Sequence, residues 1–386
     1  MKVLFVCYGH FDSGLELYNA IAEKIECQLL IQMHENHINQ SIIDVNTSDI
    51  PLGLMKNVEK TKLFKSITSF FNFDHNSVKF VKYNSLSLRD FRNFKISKIV
   101  TDWIKETGFD VVHYYGSSLT WLQQVIFLRG IRRIYTVHDY LPHSGEGEGS
   151  CQYKFYMKAI ISIRKNNFLL LSKKMMTEFT GYYNIDENRC GFVRFGSFES
   201  YTKYGTKKIE QNNQTILFFG RISPYKGIKY LINAADKIKA ELPGMKVIIA
   251  GSGNFDIDIG KLISDSTYEI HNKYITNEFL AKLLQRCSFV VCPYTDATQS
   301  GVVMTAYAFN KPVIATDVGS FKEYIDDGKT GLIVEPKDSG SLSEVFRKLL
   351  TNSELLKKMS DNIEKLKGTE FSWKKAALKC IHLYKN

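Results

Sequence analysis

The feature that most constrains the fold is an alternation of short apolar runs with amphipathic stretches, which the chain goes through twice. This pattern is typical of parallel strands joined by crossover helices. The strands predicted in the first half are Lys2–Cys7, Cys27–Met33, Val78–Tyr83, Val111–Tyr114, Ile134–Val137, Phe168–Leu171 and Gly191–Phe195. Those predicted in the second half are Thr215–Phe219, Lys246–Ala250, Tyr268–His271, Phe289–Cys292, Val313–Thr316 and Gly331–Val334. The sequence therefore predicts two doubly wound α/β domains.

A polar stretch without periodicity, Ser200–Gln214, separates the two halves and is predicted to be the interdomain linker. The predicted domains are residues 1–199 and 215–369, with a further helix over 370–386. Two domains also suit a chain of 386 residues, which exceeds the size at which a single hydrophobic core usually stops growing. Ligands of such domains bind at the carboxyl ends of strands, so the residues directly after each strand are the candidates for chemistry.

The formal net charge of +11 admits three classes of partner: nucleic acid, an anionic membrane surface, or phosphorylated small molecules. No RNA-binding aromatic consensus and no Arg-Gly repeat accompanies the charge, so no nucleic-acid partner is expected. The seven cysteines form no Cys-x-x-Cys pair, which favours a reducing compartment and no structural metal. No signal-peptide pattern and no run long enough to span a bilayer is present, so a cytoplasmic location is expected.

The most informative segment is the turn from Gly220 to Gly227, between a strand and a helix. Arg221 and Lys226 flank this turn. A diphosphate needs planar bidentate donors, a mobile ammonium and free backbone N–H groups, and the turn offers all three. The alternative is a surface turn with two solvated cations. The position at the ligand end of a strand favours phosphate binding.

Two further strands of the second half end in candidate ligand loops. Gly251 and Gly253 follow one strand and would let a ligand approach the backbone closely, although a tight turn without a ligand has the same pattern. The N–H groups of Ser300, Gly301 and Val302 begin an apolar helix and could bind phosphate or sugar oxygens. An ordinary helix cap is the alternative there.

In the first half, His138 follows the strand Ile134–Val137, and the loop Tyr8–Gly14 follows the first strand. A histidine at a strand's carboxyl end could bond a sugar hydroxyl, or could be a polar group satisfied within the fold. The pair Asp256 and Asp258 has the spacing of an Asp-x-Asp metal site, but it lies well past the glycine turn and is assigned to the surface.

These residues together resemble the retaining GT-B glycosyltransferases of family four, also called glycosyl transferases group 1. The resemblance rests on linked motifs in one order, which are more specific than any single match. The motifs are Gly220-Arg221 to Lys226-Gly227, Gly251 to Gly253, Asn310 to Thr316, Gly319 to Glu323, and Asp327 to Gly331. It covers most of the chain and implies two Rossmann-like domains that face each other across a cleft.

The resemblance implies a role for each matching residue. Arg221 and Lys226 would hold the donor diphosphate and His138 would touch the transferred sugar, so these three form the expected catalytic set. Residues 1–199 would bind the acceptor and residues 215–369 the donor, and the final helix would return to the first domain. The expected donor-binding residues are Gly14, Gly220, Gly251, Gly253, Tyr274, Ile275, Thr298, Gln299, Ser300, Gly301, Val302 and Thr305. The expected acceptor-binding residues are Gly9, His10, Asp12, Ser13 and His143.

One departure from the family pattern concerns two glutamates eight positions apart, which contact the sugar and the ribose. Counting back from Asn310-Lys311-Pro312, their places are taken here by Ala297 and Thr305. The run Ala-Thr-Gln-Ser-Gly-Val over 297–302 resembles one branch of the family. We interpret the change as altered donor contacts in an active enzyme.

The expected function is transfer of a sugar from a nucleotide-diphosphate sugar to a glycan or lipid-linked glycan, with retention and without a metal or other cofactor. The expected setting is bacterial surface polysaccharide or lipopolysaccharide synthesis. A GT-B-like nucleotide-sugar epimerase and a catalytically silent GT-B partner subunit remain alternatives. The segment Leu52–Tyr83 interleaves lysines with phenylalanines. It predicts either a basic helix lying on an anionic membrane or a domain helix with its Phe side inward.

Overall fold

The computed structural model describes residues 1–34, 43, 45–128, 130–141, 149–205, 214–298 and 300–385. The chain divides into two compact units: unit 1 comprises Met1–Phe195 and Trp373–Asn386, and unit 2 comprises Gly196–Ser372. Each unit is built on a sheet of mainly parallel strands, so the expected fold class is confirmed. The units divide upstream of the linker predicted at 200–214. Residues Glu199–Tyr204 form a 3₁₀-helix within unit 2, and residues 206–213 lie outside the described ranges.

Unit 1 contains an eight-stranded sheet of order β3-β4-β2-β1-β5-β6-β7-β8. Its strands are β1 (Val3–Tyr8), β2 (Cys27–His34), β3 (Gly53–Met55), β4 (Val78–Tyr83), β5 (Val111–Gly116), β6 (Arg132–Val137), β7 (Asn166–Leu170) and β8 (Cys190–Phe192). Only the pairing of β3 with β4 is antiparallel. The three-residue β3 was not predicted, because so short a strand carries no periodicity of its own.

The helices of unit 1 include one that follows unit 2 in the chain. They are α1 (Phe11–Ala22), α2 (Lys62–Thr68), α3 (Phe91–Thr107), α4 (Thr120–Phe127), α5 (Gly149–Ile161), α6 (Lys173–Tyr183) and α14 (Trp373–Lys385). Helix α14 packs against α1. The Tyr384 hydroxyl lies 2.6 Å from Nδ1 of the buried His113, whose Nε2 lies 2.7 Å from Thr136 Oγ1. Both ring nitrogens of His113 are therefore engaged, and one of them fastens α14 to the sheet.

Unit 2 contains a six-stranded, entirely parallel sheet of order β11-β10-β9-β12-β13-β14. Its strands are β9 (Thr215–Phe219), β10 (Lys246–Gly251), β11 (Tyr268–Asn272), β12 (Phe289–Cys292), β13 (Val313–Thr316) and β14 (Gly331–Val334). Its helices are α7 (Ile228–Ile238), α8 (Gly260–Ile263), α9 (Asn277–Arg286), α10 (Gly301–Ala308), α11 (Phe321–Tyr324), α12 (Ser339–Leu350) and α13 (Ser353–Lys367).

The strand orders identify where a ligand would bind in each sheet. Strand β1 lies between β2 and β5, and β9 lies between β10 and β12, so the strand order reverses at β1 and at β9. Both strands are almost wholly buried, as continuous apolar runs in parallel sheets usually are. Ligands of open α/β sheets bind beyond the carboxyl ends of strands at such reversals. Gly9 and His10 follow β1, and Gly220 and Arg221 follow β9.

The lysine-rich segment Leu52–Tyr83 is not one helix. It consists of β3, α2, a 3₁₀-turn and β4. Leu63, Phe64 and Ile67 of α2 are buried, and Phe71 stacks on Phe73, which packs edge-on against Tyr18. Of the two predicted arrangements, the structure has the one with the Phe side packed inward. Within the described ranges, no helix combines the length and apolarity needed to cross a membrane.

Candidate functional site

The first component of the site is the turn that carries the chain from β9 to α7. Gly220 has a φ of 120°, and the exposed Arg221 follows it. Residues Pro224–Lys226 form one 3₁₀-turn, and Gly227 adopts the left-handed conformation (φ 68°) that begins α7. Arg221 and Lys226 thus lie at the two ends of a short rigid turn, next to the strand reversal.

The ammonium of Lys226 lies over two aromatic rings. Its Nζ is 3.8 Å from the ring centroid of Tyr294 and 4.9 Å from that of Tyr225. Cation–π contacts at these distances are attractive, by about 0.5–2 kcal/mol depending on solvent exposure. Tyr294 is itself buried. No role for Tyr294 can be read from the sequence, because its contact with Lys226 joins two loops far apart in the chain.

The turn after β9 is fixed against the loop after β12. A Cβ atom on Gly227 would lie 1.9 Å from the carbonyl oxygen of Pro293, so only glycine allows this approach. The backbone N–H of Thr295 donates to the carbonyl of Tyr225 at 2.8 Å. The position of Lys226 is therefore set by backbone contacts as well as by the rings.

Gly251 and Gly253 are explained by close approach within the protein. A Cβ atom on Gly251 would lie 1.8 Å from the Gly220 carbonyl oxygen, and one on Gly253 would lie 2.0 Å from that of Ile222. The N–H of Ile222 donates to Ser252 at 3.0 Å, so the pairing of β9 with β10 continues beyond the strands. Of the two interpretations left open for the Gly-x-Gly pattern, this geometry supports a structural turn. The contacts of this turn with Gly220 and Ile222 also position Arg221.

The start of helix α10 forms the second component of the site. Ser300 is in an extended conformation at the N-cap, and its side chain makes no capping hydrogen bond. Val302 Cγ2 lies 3.9 Å from where a Cβ of Gly220 would be, so α10 begins beside the Arg221 turn. A Cβ on Gly301 would lie 3.2 Å from the ring of Phe198. The first N–H groups of a helix carry partial positive charge, and here they adjoin a turn with two cations.

The remaining residues expected around α10 differ in their environment. Thr305 is buried and its hydroxyl donates to the Gly301 carbonyl at 3.0 Å, so its proton is already engaged inside the helix. The carbonyl of Thr298 accepts from Ser320 N–H at 3.1 Å. A Cβ on Gly319, at a φ of 54°, would lie 2.3 Å from the Ala297 carbonyl oxygen. Backbone contacts thus hold the 297–298 loop. Gln299 lies outside the described residues.

Tyr274 and Ile275 lie in the loop after β11, beside the Gly-x-Gly turn. The N–H of Lys273 donates to the Gly251 carbonyl at 2.9 Å, and Asn272 Oδ1 accepts from Gly253 N–H at 3.2 Å. Tyr274 is 51% exposed. The loop therefore joins the same edge of the sheet as Arg221 and carries a half-exposed aromatic ring.

In unit 1, His138 and His10 come together from two loops. Their rings are stacked at a centroid distance of 3.7 Å with an interplanar angle of 2°, and Tyr115 meets His138 edge-on at 4.8 Å. Burial holds the pKa of His138 well below its usual range, and His10 and His113 act in the same direction. The imidazole is therefore neutral at pH 7 and can donate from one nitrogen and accept at the other. Neither nitrogen has a hydrogen-bond partner among the described residues.

The loop after β1 is shorter than predicted, because α1 already begins at Phe11. His10 is left-handed (φ 45°) at the N-cap, and Ser13 donates to its carbonyl at 3.3 Å. Gly14 is a buried helical residue, and a Cβ there would lie 2.6 Å from Cys7 Sγ. It therefore permits α1 to pack on β1, instead of opening a loop as expected. Gly9 has a φ of 65°, and Asp12 lies in the first turn of α1. His143 lies outside the described residues.

Several residues of the recognised motifs hold the fold together. Lys311 is buried, and its ammonium donates to the carbonyls of Gln285 and Cys287 where α9 ends. Asn310, which stands where the family pattern has glycine, is left-handed (φ 56°), a conformation that asparagine tolerates better than most residues. Thr330 Oγ1 accepts from the Tyr307 hydroxyl at 2.7 Å and from Asp326 N–H at 2.9 Å. The residues at these motif positions therefore indicate the fold more than they indicate the chemistry of the site.

The two aspartates with Asp-x-Asp spacing make separate local contacts. Asp256 lies 3.6 Å from the ammonium of Lys229, and Asp258 accepts from Gly260 N–H at 2.9 Å. In the part of the chain that the structure describes, no three His, Cys, Asp or Glu residues lie close enough together to hold a metal ion. The surface assignment of the pair agrees with these contacts.

Comparison with known proteins gives a family match in unit 2. Residues 203–366 match the family model described as Glycosyl transferases group 1. The chain is similar to an alpha-D-kanosaminyltransferase of Streptomyces kanamyceticus, with 26% identity over 173 residues, which are 44% of this chain and 45% of that one. The chain spans about half the length of the curated relatives that it matches.

Solved structures extend the likeness to both units. Sucrose-phosphate synthase from Thermosynechococcus elongatus aligns with a TM-score of 0.70 and 14% identity, covering 100% of this chain and 98% of that one. HepE of Anabaena in complex with UDP-glucose aligns with a TM-score of 0.67 and 16% identity over the whole of both chains. At these identities the likeness establishes the shared fold. The match to the family model lies in unit 2 and covers less than half of the chain.

Proposed function

We propose that this protein is a glycosyltransferase that moves a sugar from a nucleotide-diphosphate sugar to a hydroxyl group of a glycan or lipid-linked glycan. Unit 2 is proposed to bind the donor. The observation that carries the proposal is the convergence of Arg221, Lys226 and the start of α10 at the strand reversal of β9. Planar bidentate donors, an ammonium and helical N–H groups are the groups that bind a diphosphate.

The donor class is supported by the neighbouring structures. HepE has been solved with UDP and with UDP-glucose, and it has the same fold as this chain. By analogy, the diphosphate would lie at the Arg221 turn. Tyr274 and Ile275 would lie beside the nucleobase, at the β10–β11 end of the same sheet. Ala297 offers no carboxylate to the sugar, and the hydroxyl proton of Thr305 is already donated to Gly301. We therefore propose that donor recognition in this chain depends on the diphosphate more than on carboxylate contacts.

The proposed chemistry breaks the bond between the anomeric carbon and the diphosphate oxygen, and forms one from that carbon to the acceptor oxygen. The acceptor oxygen approaches on the face from which the diphosphate leaves, and the acceptor's proton passes to that diphosphate, so no protein nucleophile is needed and the configuration is retained. The leaving diphosphate gains negative charge as the bond breaks. Arg221 and Lys226 would stabilise that charge in place of a metal ion, because fixed cations at the developing charge lower the barrier directly.

Unit 1 is proposed to bind the acceptor around His138. A neutral imidazole with two unpartnered nitrogens can donate to one hydroxyl and accept from another, which suits a sugar. The hydroxyls of Tyr135 and Tyr156, also without partners among the described residues, line the same cavity of about 60 Å³. That volume has room for only a few water-sized groups, so it would accommodate a hydroxyl or a hydroxymethyl group and not a whole sugar ring.

The experiment that tests the donor site compares Arg221→Ala and Lys226→Ala with Lys229→Ala. Lys229 lies three residues further on and pairs with Asp256, so it is a matched lysine outside the turn. Each of the first two substitutions should lower kcat/KM by roughly a hundred-fold, the scale of losing one well-placed electrostatic stabiliser. Lys229→Ala should change it less than two-fold, and all three proteins should unfold at nearly the wild-type temperature.

The wild-type assay also separates the alternative functions. Sugar transfer with release of nucleoside diphosphate supports the proposal. Isomerisation of the donor without an acceptor would identify an epimerase, and nucleotide binding without turnover would identify a silent partner subunit. Equal losses in Lys229→Ala and Lys226→Ala would refute the assigned position of the diphosphate.

A further inference from the structure

Helices α3 and α4 of unit 1 leave large apolar side chains exposed on their outer faces. On α3, Ile96, Val100 and Ile104 are buried together with Asn93, Ser97 and Thr101, yet Phe91 is 68% exposed and Ile99 is 54% exposed. A surface helix of a globular protein normally has polar and charged residues on its outer face. The exposed apolar side chains of α3 therefore depart from the usual composition of a face that meets only water.

Helix α4 packs beside α3 and also exposes an apolar residue. Trp121 is buried along with Thr120, Gln123 and Gln124, whereas Ile126 is 60% exposed. The apolar Leu122, Val125 and Phe127 of this eight-residue helix are only half-buried. The ring of Phe94 on α3 packs against that of Phe127 at a centroid distance of 5.3 Å. The exposed apolar side chains of the two helices therefore meet in one surface.

A buried hydrogen-bond network fixes this orientation. Ser97 Oγ donates to Gln123 Oε1 at 3.0 Å, and Gln123 Nε2 donates to the Leu88 carbonyl at 3.0 Å. Gln124 Nε2 donates to the Tyr83 hydroxyl at 2.9 Å, and its Oε1 accepts from Tyr114 at 2.9 Å. Rotating either helix to bury Phe91, Ile99 or Ile126 would break these bonds and leave buried polar groups unpaired, at a cost of about 1–3 kcal/mol each. It would also expose apolar residues that the helices now bury, so the exposure of these three side chains is built into the fold.

The exposed apolar side chains are interleaved with cations. We call the patch formed by Leu86, Phe91, Phe94, Ile99, Ile126 and Phe127 the α3–α4 surface. The cations Arg89, Arg92, Lys95 and Lys98 are exposed along the same segment, and Lys95 Nζ lies 4.9 Å from the ring centroid of Phe91. Three carboxylates oppose them: Asp102 pairs with Lys98 at 2.7 Å, the mostly covered Asp90 accepts from Arg92, and Glu106 is exposed one turn beyond Asp102. Positive charge remains in excess.

We propose that the α3–α4 surface binds an anionic lipid bilayer, with α3 lying along the interface. Apolar side chains flanked by lysine and arginine on the same surface are typical of helices that insert between acidic headgroups. Phe91 and Ile99 are eight residues apart, so the contact runs about 12 Å along α3. Beyond Ile99 lies a groove of about 520 Å³, whose lining combines Leu54, Met55 and Trp103 with the polar Lys56, Asn57, Asp102 and Glu106. The membrane-facing element is then α3 with α4, and not α2, whose Leu63, Phe64 and Ile67 are packed inside.

The test is vesicle flotation of the full chain without any sugar donor or acceptor, so its outcome does not depend on the proposed enzyme activity. The probes are phosphatidylcholine vesicles with and without about a third phosphatidylglycerol. Wild type should bind the anionic vesicles more tightly, and binding should weaken with salt because exposed charges are screened. Arg92→Gln with Lys95→Gln should weaken binding by about 25-fold, at roughly five-fold for each cation near the lipid.

The apolar part is tested by Phe91→Ser with Ile126→Ser, which should weaken binding to both kinds of vesicle by roughly ten-fold or more. Both side chains are mostly exposed, so the melting temperature should not fall. Ile263→Ser, at a 69% exposed position of unit 2, is the matched apolar control. The charge control is Lys60→Gln with Lys65→Gln, two exposed lysines in or just before α2, and we call these substitutions the α2 controls. Neither control should alter binding.

The proposal is overturned if wild type binds no vesicles, which would leave a protein partner as the occupant of the surface. It is also overturned if the α2 controls reduce binding as much as the α3 variants do.

Discussion

Replacing Gly253 with alanine tests whether the Gly-x-Gly turn serves the ligand or the protein. The residue has a φ of 147°, and an added Cβ would lie 2.0 Å from the Ile222 carbonyl oxygen. That carbonyl belongs to backbone, so it cannot move aside as a flexible side chain could. The backbone after β9, which carries Arg221, would have to move away from the backbone after β10. The hydrogen bond from Ile222 N–H to Ser252 would then break.

The cost can be worked from these contacts. A side chain forced into a sparsely populated backbone region costs about 1–3 kcal/mol, and loss of one hydrogen bond adds about 1 kcal/mol. A total of about 3 kcal/mol should lower the melting temperature of a unit of this size by roughly 6–12 °C. Binding of UDP should weaken as well, because the Arg221 turn shifts.

The assay is calorimetric unfolding of the ligand-free protein, with hydrogen exchange at the Ile222 amide as a local readout and UDP titration as a functional one. Gly328→Ala is the matched control, since Gly328 also has positive φ (75°) but no atom within 4 Å of the added Cβ. This control measures the cost of the backbone strain alone, which is about 1–2 kcal/mol. If Gly253→Ala unfolded at the wild-type temperature yet lost UDP binding, the glycine would be required by the ligand and the structural explanation would be refuted.

Four further outcomes are expected. Tyr294→Leu should raise the donor KM several-fold while Tyr294→Phe should not, because the ring and not the hydroxyl lies under Lys226; donor titration of both variants checks this. Thr305→Ala should lower kcat/KM less than ten-fold, since its hydroxyl bond is internal and worth about 1 kcal/mol; a loss as large as that of Arg221→Ala would contradict the placement of the donor. Transfer should persist in EDTA, whereas rescue by manganese after chelation would show a metal-dependent reaction. Burial lowers the pKa of His113 to about 3, so below about pH 6.5 the unfolded chain binds a proton that the folded chain does not. The free energy of unfolding should therefore fall as pH drops from 6.5 towards 3, by up to about 1.4 kcal/mol per pH unit. Urea titrations should find a shallower pH dependence in His113→Gln.

The sequence predicted most of the strands because a buried parallel strand is a short continuous apolar run. It also singled out the Arg221 turn, since glycine, proline and cations directly after a strand are visible without a structure. The reasons behind the glycines were not visible. Gly14, Gly251 and Gly253 meet Cys7 Sγ and the carbonyls of Gly220 and Ile222, which are partners from other elements.

Helices α3 and α4 show a different limit of sequence analysis. Their sequences are amphipathic, and an amphipathic pattern is ordinarily interpreted with its apolar side towards the core. Here α3 and α4 bury polar residues beside apolar ones, because Gln123 and Gln124 find partners on β4, β5 and α3 that only tertiary structure brings together. Periodicity separates the faces of a helix, but which polar residues are buried depends on what lies opposite.

The return of α14 to unit 1 has a consequence for how the protein forms. Unit 2 is inserted between Phe195 and Trp373, so the last piece of unit 1 leaves the ribosome only after all of unit 2 has been made. Until then the Tyr384 hydroxyl is not available to His113, and the face of α1 that α14 covers stays open to solvent. Unit 2 can complete its own core first, since its six strands are contiguous in the chain. Completion of unit 1 therefore follows the synthesis of unit 2, and nascent chains halted before residue 373 should expose an incomplete first unit to chaperones and proteases.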